Sequence, residues 1–211
     1  KSIFAPYFII FAAYATDLLL TSIQKKRYRE LAIQLSVSII LLVCFQEMNG
    51  LRRARPDDFN NMAYAWKEKG QIENAKYYLD RGLKLFPQNP AIHLNEGLYH
   101  FTQADWSSAI GYFNQALKLD PSIKEAKNRL VNSLFELSKK HMNSKRFSEA
   151  IPLLEKLIFY KPDSLGALSN LGICYAMLNH KQKAQEQFLK VLEKEPDHSI
   201  AKTNLQILDS R

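Results

Sequence analysis

Apolar and small residues recur at helical spacing over the last three quarters of the chain, in a unit of about 34 residues. Each unit has an alanine, a large apolar residue four positions later, a small or apolar residue three positions further on, and a proline five positions after that. These spacings place three side chains on one face of a helix that the proline ends. The four sets are Ala75, Leu79, Gly82 and Pro87; Ala109, Phe113, Ala116 and Pro121; Ala150, Leu154, Leu157 and Pro162; Ala184, Phe188, Val191 and Pro196.

A second helical segment and a short polar turn precede each of these helices, as in WKEKGQIENA at residues 66–75. Two helices in each of several successive units predict an all-α helical solenoid. The third unit is longer, because Pro121 and Pro162 are 41 residues apart. The seven extra residues are close to two helical turns, so we predict a first helix from Lys124 to about Met142 that projects beyond its neighbours. The residues after Pro196 predict a terminal helix that covers the last apolar face.

Two apolar segments precede the repeats, at residues 3–23 and 31–49. As helices they would be about 30 Å and 28 Å long, which matches the hydrocarbon core of a bilayer. We predict a transmembrane hairpin over residues 1–50, followed by the solenoid at residues 51–211. The predicted repeats are about 56–89, 90–123, 124–164 and 165–198, with a cap at 199–211. The alternative is a hydrophobic helix pair buried in a soluble protein, because Gln34, Ser36 and Ser38 make the second segment only moderately apolar.

Charge supports the membrane interpretation. The chain carries a net charge of +8, with 8 basic and 3 acidic residues among residues 1–55. An excess of basic residues beside apolar segments is typical of membrane flanks rather than of a nucleic-acid surface, so we expect no nucleic-acid partner. Four basic residues in the loop against three after the second segment place the loop in the cytoplasm. The repeats would then lie outside it, in the periplasm or a lumen. Asp17, the one charge in the first segment, would pair with a lysine of the loop or have a functional role.

No catalytic constellation is present in the sequence. It has no Gly-rich phosphate loop, no HExxH, no nucleophile elbow and no paired cysteines, so we expect neither enzymatic activity in these residues nor a cofactor. His93, Glu96 and His100 share one helix face and are ligand types for zinc or iron. We favour the alternative that they find hydrogen bonds within a helix pair, and we assign no metal site. Trp66 and Trp106 occupy positions that predict packing rather than ligand stacking.

The repeat pattern resembles the tetratricopeptide repeat (TPR) family, over residues 56 to about 208. That family favours apolar or aromatic residues at some fixed positions of the repeat, small residues at others, and a proline near its end. The residues that match are Phe59, Met62, Ala63, Trp66, Ala75, Leu79, Gly82 and Pro87; Gly97, Trp106, Ala109, Phe113, Ala116 and Pro121; Leu168, Leu171, Gly172, Tyr175, Ala184, Phe188, Val191 and Pro196. The resemblance implies a right-handed α-solenoid of about four repeats and a capping helix, whose first helices line a concave surface that binds a protein or an extended peptide.

The resemblance also implies which side chains line this concave groove. One repeat position holds Asn61, Asn95, Arg129, Asn170 and Asn204. Carboxamides both donate and accept, so such a column can pair with a peptide backbone without selecting its sequence. The neighbouring positions hold Tyr64, Leu98, Phe101, Asn128, Asn132, Phe135, Ile173 and Met177.

Some TPR proteins clamp a chaperone's C-terminal carboxylate with lysine, asparagine and arginine side chains. Asn95 and Arg129 match that pattern, whereas Asn60, Tyr64 and Glu125 replace a lysine, an asparagine and a second lysine. This set argues against such a clamp.

Two functions remain open from the sequence. The first is a membrane-anchored scaffold that binds proteins through the groove. The second is the C-terminal membrane and TPR portion of a glycosyltransferase of the protein O-mannosyltransferase type, whose layout is similar and whose further membrane helices would lie in the same or another chain. The chain begins with Lys1, so it is either processed or part of a longer protein. A basic turn, Lys139, Lys140, His141, Lys145 and Arg146, is a further candidate surface for lipid head groups or an acidic partner.

Overall fold

The computed structural model describes residues 33, 35–44 and 54–210. These residues fall into two units, with the boundary between Arg55 and Pro56. In the first unit, residues 35–44 are helical and their apolar side chains are exposed. No helix in the described ranges is long and apolar enough to cross a membrane. The first predicted span, residues 3–23, lies outside the described residues, and the second is described only in part, so the hairpin stays a prediction.

The second unit consists of helices in antiparallel succession, with no strand between residues 54 and 210. They are α1 (Pro56–Glu68), α2 (Ile72–Leu85), α3 (Pro90–Thr102), α4 (Trp106–Leu119), α5 (Lys124–Asn143), α6 (Phe147–Tyr160), α7 (Leu165–Met177), α8 (Lys181–Lys194) and α9 (Ser199–Asp209). Helices α1 to α8 form four pairs, and α9 packs against α8 and α7. This is the all-α solenoid that the spacing predicts.

The turn inside each pair has one residue in the left-handed region. These residues are Gly70, Ala104, Lys145 and Asn179, with φ between 55° and 71°. The next residue of each turn donates its N–H to a carbonyl five positions earlier, for example Asp105 to His100 at 3.0 Å. This 6→1 bond is the Schellman ending of a helix, which uses up one of the carbonyls that the helix leaves unpaired. Only one of the four residues is glycine. The left-handed conformation of the other three could therefore not be predicted from the residue type.

The alanine, large apolar and small or apolar residues of the repeat form the core. All twelve are buried, as the spacing predicts. In the second and fourth pairs the first helix approaches the second closely, at Gly97 and Gly172. A Cβ at Gly97 would lie 2.5 Å from the ring of Phe113, and one at Gly172 would lie 2.7 Å from the ring of Phe188.

Two hydrophobic clusters divide this core. The large one runs from α4 to α9, with partly buried residues of α3 packed against it. The small one contains Ala63, Ala75 and Leu79, with Trp66, Tyr78 and Tyr99 packed around them. The first pair therefore has a core of its own.

The lengthened first helix of the third repeat is confirmed. Helix α5 has 20 residues, whereas α1, α3 and α7 have 13 each. It ends at Asn143, one residue beyond the predicted end. Its buried Ser133 and Ser138 donate their hydroxyl hydrogens to the carbonyls of Arg129 and Phe135, at 2.8 and 2.7 Å. Both hydroxyls are therefore satisfied within the helix, as buried polar groups require.

Candidate functional site

A cavity of about 450 Å³ lies between the first helices α1, α3 and α5. Side chains of α2 close its floor. Five residues come from α1, four from α3, three from α2 and two from α5. They are Asn60, Asn61, Ala63, Tyr64 and Lys67; Asn95, Leu98, Tyr99 and Thr102; Ile72, Ala75 and Leu79; and Glu125 and Arg129. We call this cavity the N-terminal pocket.

The N-terminal pocket contains five of the residues that the sequence assigns to the groove, namely Asn61, Tyr64, Asn95, Leu98 and Arg129. The amides of Asn61 and Asn95 make no hydrogen bond to other described residues, and 64% of Tyr64 is exposed. The floor is apolar, with Ala63, Ala75 and Leu79 beneath the polar rim. Polar groups around an apolar floor are the usual composition of a ligand site.

Other predicted groove residues lie outside this pocket. Asn128, Asn132 and Met177 are exposed, and Asn170 and Ile173 are half-buried on α7. Phe101 contacts Trp106 edge to face, and Phe135 lies against Gly166 at the start of α7. Asn204 donates to the carbonyl of Ile200 at 2.8 Å, so part of its amide is already used. The groove as a continuous surface through the fourth repeat therefore stays a prediction.

Nine lining residues are not among the predicted groove residues, namely Asn60, Ala63, Lys67, Ile72, Ala75, Leu79, Tyr99, Thr102 and Glu125. Four of them, Asn60, Lys67, Thr102 and Glu125, fall at repeat positions that the family uses for its concave surface, so counting along each first helix would have identified them. Asn60 is the most informative, because its Oδ1 is buried without a hydrogen-bond partner among the described residues. A buried polar atom of this kind costs free energy unless a ligand or a water satisfies it.

The charges in the pocket partly compensate each other. The guanidinium of Arg129 lies 3.8 Å from the carboxylate of Glu125 and 5.2 Å from the centre of the Phe101 ring. Both charged side chains are about half exposed, so this pair contributes little to stability. Lys67 has no acidic partner in the described part of the chain. The pocket is therefore close to neutral, with one cation in excess.

The candidate metal ligands His93, Glu96 and His100 do not converge. His93 Nε2 lies 2.8 Å from the carbonyl of Pro87, and His100 Nδ1 lies 3.1 Å from Asp105 and the ring stacks on Tyr112. Glu96 is fully buried and faces Lys76 instead. Within residues 33, 35–44 and 54–210, no group of three or more His, Cys, Asp or Glu side chains could hold a metal ion.

Two models of the tetratricopeptide repeat family match the chain, at residues 61–122 and 141–205. Together they cover more than half of it. The chain belongs to the tetratricopeptide repeat proteins. Residues 123–140, between the two matches, include most of the lengthened TPR helix α5.

Curated relatives are distant and much longer. The TPR repeat-containing protein MJ1428 of Methanocaldococcus jannaschii is 25% identical over 160 residues, which are 75% of this chain and 27% of that protein. The peroxisomal targeting signal receptor of Saccharomyces cerevisiae is 30% identical over 132 residues, which are 60% of this chain and 20% of the receptor. The chain thus spans less than a third of either relative.

A solved TPR structure is about equally distant in sequence. YrrB, described as a TPR protein with an unusual peptide-binding site, is 20% identical, with a TM-score of 0.47. The superposition covers 72% of this chain and 75% of YrrB.

The five positions that form a carboxylate clamp in some TPR proteins do come together here. Asn60, Tyr64, Asn95, Glu125 and Arg129 all line the N-terminal pocket. Their chemistry differs from that of a clamp, because Arg129 is the only cation among them and Glu125 lies beside it. The five positions line one pocket, and their side chains lack the charges that fix a chain-terminal carboxylate.

Proposed function

We propose that this TPR protein is an interaction scaffold whose concave groove binds an extended segment of a partner protein. The N-terminal pocket is the observation that carries this proposal. It spans three successive first helices, and its unpaired amides of Asn61 and Asn95 stand above an apolar floor. An extended segment has a free backbone donor or acceptor at every residue, so it satisfies such amides along its length.

The pocket favours a bulky apolar side chain in the bound segment. Leu98, Leu79 and Tyr99 supply apolar surface, and about 450 Å³ is enough for a large side chain. Because Glu125 stands beside Arg129, we infer that an internal segment fits better than a free C-terminus. The peroxisomal targeting signal receptor, whose similarity to this chain is distant, is by its name a receptor for a targeting signal, and the proposed function is of the same general kind.

The test is to recover a partner with the wild-type repeats by crosslinking and pull-down, and then to measure its affinity for an Asn61→Ala, Asn95→Ala double variant. Each neutral hydrogen bond contributes about 0.5–1.5 kcal/mol, so we expect about tenfold weaker binding at unchanged stability. Adding Asn170→Ala shows whether the segment continues to the fourth repeat.

The matched control is the double variant Asn74→Ala, Asn114→Ala, on the second helices α2 and α4 and outside the pocket lining. It should bind like the wild type. Equal affinity of the wild type and the Asn61, Asn95 variant would exclude the pocket as the binding site. The basic turn from Lys139 to Arg146 would then be the next surface to test.

We also propose that residues 1–50 anchor the scaffold in a membrane as a hairpin, with the repeats outside the cytoplasm. The support is the length and apolarity of the two segments and the position of the basic residues. A Ser144→Cys, Cys44→Ser variant, with Cys174 buried, should react with an impermeant thiol reagent on intact cells. Reaction only after lysis would reverse the orientation, and extraction by carbonate would exclude the anchor. The glycosyltransferase alternative rests on layout alone.

A further inference from the structure

Glu96 is a carboxyl group in an unusual place. It lies on α3, its side chain is 0% exposed, and neither carboxylate oxygen has a hydrogen-bond partner in the described residues. Its nearest cation is the ammonium of Lys76 on α2, at 3.5 Å from Oε2. A charge-assisted hydrogen bond is normally about 2.7–2.9 Å long, so this contact is weak. The shorter contact of Lys76 is with Asp80, one turn along α2.

Groups from every neighbouring helix face this carboxyl. Lys76 and Asp80 come from α2, and Tyr112 comes from α4. On α3 itself the near groups are His93, whose Nδ1 is buried without a partner, and Tyr99. With the histidine neutral, Lys76 is the one positively charged group among them. Only Lys76 could therefore stabilise an ionised Glu96.

Glu96 lies where the first repeat packs against the second, and we call this contact the joint. Lys76 and Asp80 belong to the first repeat, whose hydrophobic cluster is separate from the main one. The N-terminal pocket crosses the same joint, because α1 and α2 line one side and α3 and α5 line the other. Tyr99 connects the two sites. Its ring lines the pocket, and the ammonium of Lys76 lies 5.7 Å from the centre of that ring.

We propose that Glu96 is a positioning residue whose protonation holds the first repeat against the second, and whose ionisation opens this joint and with it the N-terminal pocket. The effect on ligand binding rests on the proposed function. The effect on the joint does not, because it needs only the first and second repeats.

The direction of the effect follows from where the proton is held. Burial raises the pKa of Glu96 from 4.5 to about 7, although the charge of Lys76 opposes the rise. The closed joint therefore holds the proton more tightly than the open joint, in which the carboxyl is solvated. The stabilisation is complete below pH 4.5 and is lost as the pH rises through about 7. A histidine that is buried in its neutral form would instead make the joint less stable as the pH falls. The direction of the pH dependence therefore distinguishes Glu96 from such a histidine.

Hydrogen–deuterium exchange of the intact protein tests this without a ligand. Residues 56–85 report on the first repeat, and residues 165–194 provide an internal reference. After correction for the intrinsic rate, the linkage predicts that opening of residues 56–85 increases about tenfold between pH 6 and pH 8 relative to the reference. Glu96→Gln should remove this increase, and Lys76→Met should move it to higher pH.

Glu68→Gln is the control, because Glu68 is an exposed carboxylate on α1 and should leave the profile unchanged. Equal pH dependence of the two segments in the wild type would overturn the proposal, whatever the variants do. An increase that persists in Glu96→Gln would also overturn it, because another group would then carry the pH dependence. Neither result would bear on the Asn61, Asn95 binding experiment, so failure of the joint and failure of the binding site are distinguishable.

Discussion

Small residues decide how closely the two helices of each repeat approach. The residue sixteen positions before the large apolar residue is Ala63, Gly97, Ser138 or Gly172. Glycine occurs where the large residue is Phe113 or Phe188, and alanine or serine where it is leucine. The sums of the two side-chain volumes are therefore kept similar, as close packing requires. This rule can be read from the sequence once the repeat register is known.

Replacing Gly97 with alanine should destabilise the second repeat. The new Cβ would lie 2.5 Å from the Phe113 ring, and overpacking of this kind costs about 1–3 kcal/mol. The better helix propensity of alanine offsets about 1 kcal/mol of that cost. Gly111→Ala on α4 is the matched control, because its Cβ would have nothing within 4 Å and the variant should gain about 0.5–1 kcal/mol. Urea denaturation followed by Trp106 fluorescence in a Trp66→Phe background measures both. Equal stability of the two variants would show that the ring moves aside at no cost.

The buried Glu96 shows what residue patterns do not predict. In the sequence it occupies a repeat position that usually holds an apolar residue. It was a candidate metal ligand because His93 and His100 lie on the same helix face. The structure separates the three because each finds a different neighbour, which depends on how α2 and α4 pack on α3. The two histidines find partners six and five residues away, in the turns that flank α3, whereas the partner of Glu96 lies 20 residues away on α2 and leaves no signal in the spacing.

Helices were predictable because each repeat carries its own local signals. An alanine, a large apolar residue and a proline fix one helix, and the length of α5 followed from the distance between two prolines. The extent of the groove was not predictable in the same way. It depends on the rotation from one repeat to the next, which spacing along the chain does not give. The pocket accordingly contains Asn61 and Asn95 and not Asn170.

Helix α5 should tolerate removal of its extra turns. Deleting residues 131–137 shortens it by about 10 Å and rotates the following residues by only about 20°, so Ser138 stays on the buried face. We expect cooperative thermal unfolding to persist with a lower Tm, because buried Leu134 is lost. Deleting residues 131–135 rotates the face by about 140° and should abolish cooperative unfolding of the third repeat. Similar losses in both deletions, measured by circular dichroism, would mean that the inserted turns are required for folding.

The molecule as a whole combines a long continuous core with a small separate one. Repeats two to four and α9 share a single hydrophobic cluster, whereas the first repeat has its own. In a solenoid each repeat contacts only its neighbours, so a terminal repeat with few shared contacts opens independently of the rest. Because the N-terminal pocket is built across this boundary, the stability of the first repeat sets the fraction of molecules with a complete pocket.

The two tryptophans should therefore report different urea transitions. Trp66 lies in the small cluster, and Trp106 contacts Phe101 beside the large one. In Trp106→Phe the remaining Trp66 should respond at lower urea than Trp106 does in Trp66→Phe. Trp66 Nε1 has no hydrogen-bond partner among the described residues, so its replacement by phenylalanine breaks no hydrogen bond.

If Glu96 controls the joint, the gap between the two midpoints should narrow from pH 8 to pH 6, because the protonated carboxyl couples the first repeat to the second. Coincident midpoints at both pH values would mean that the solenoid unfolds as one unit, since agreement between independent probes is the test of a two-state transition. In that case the pocket would open only with the whole domain.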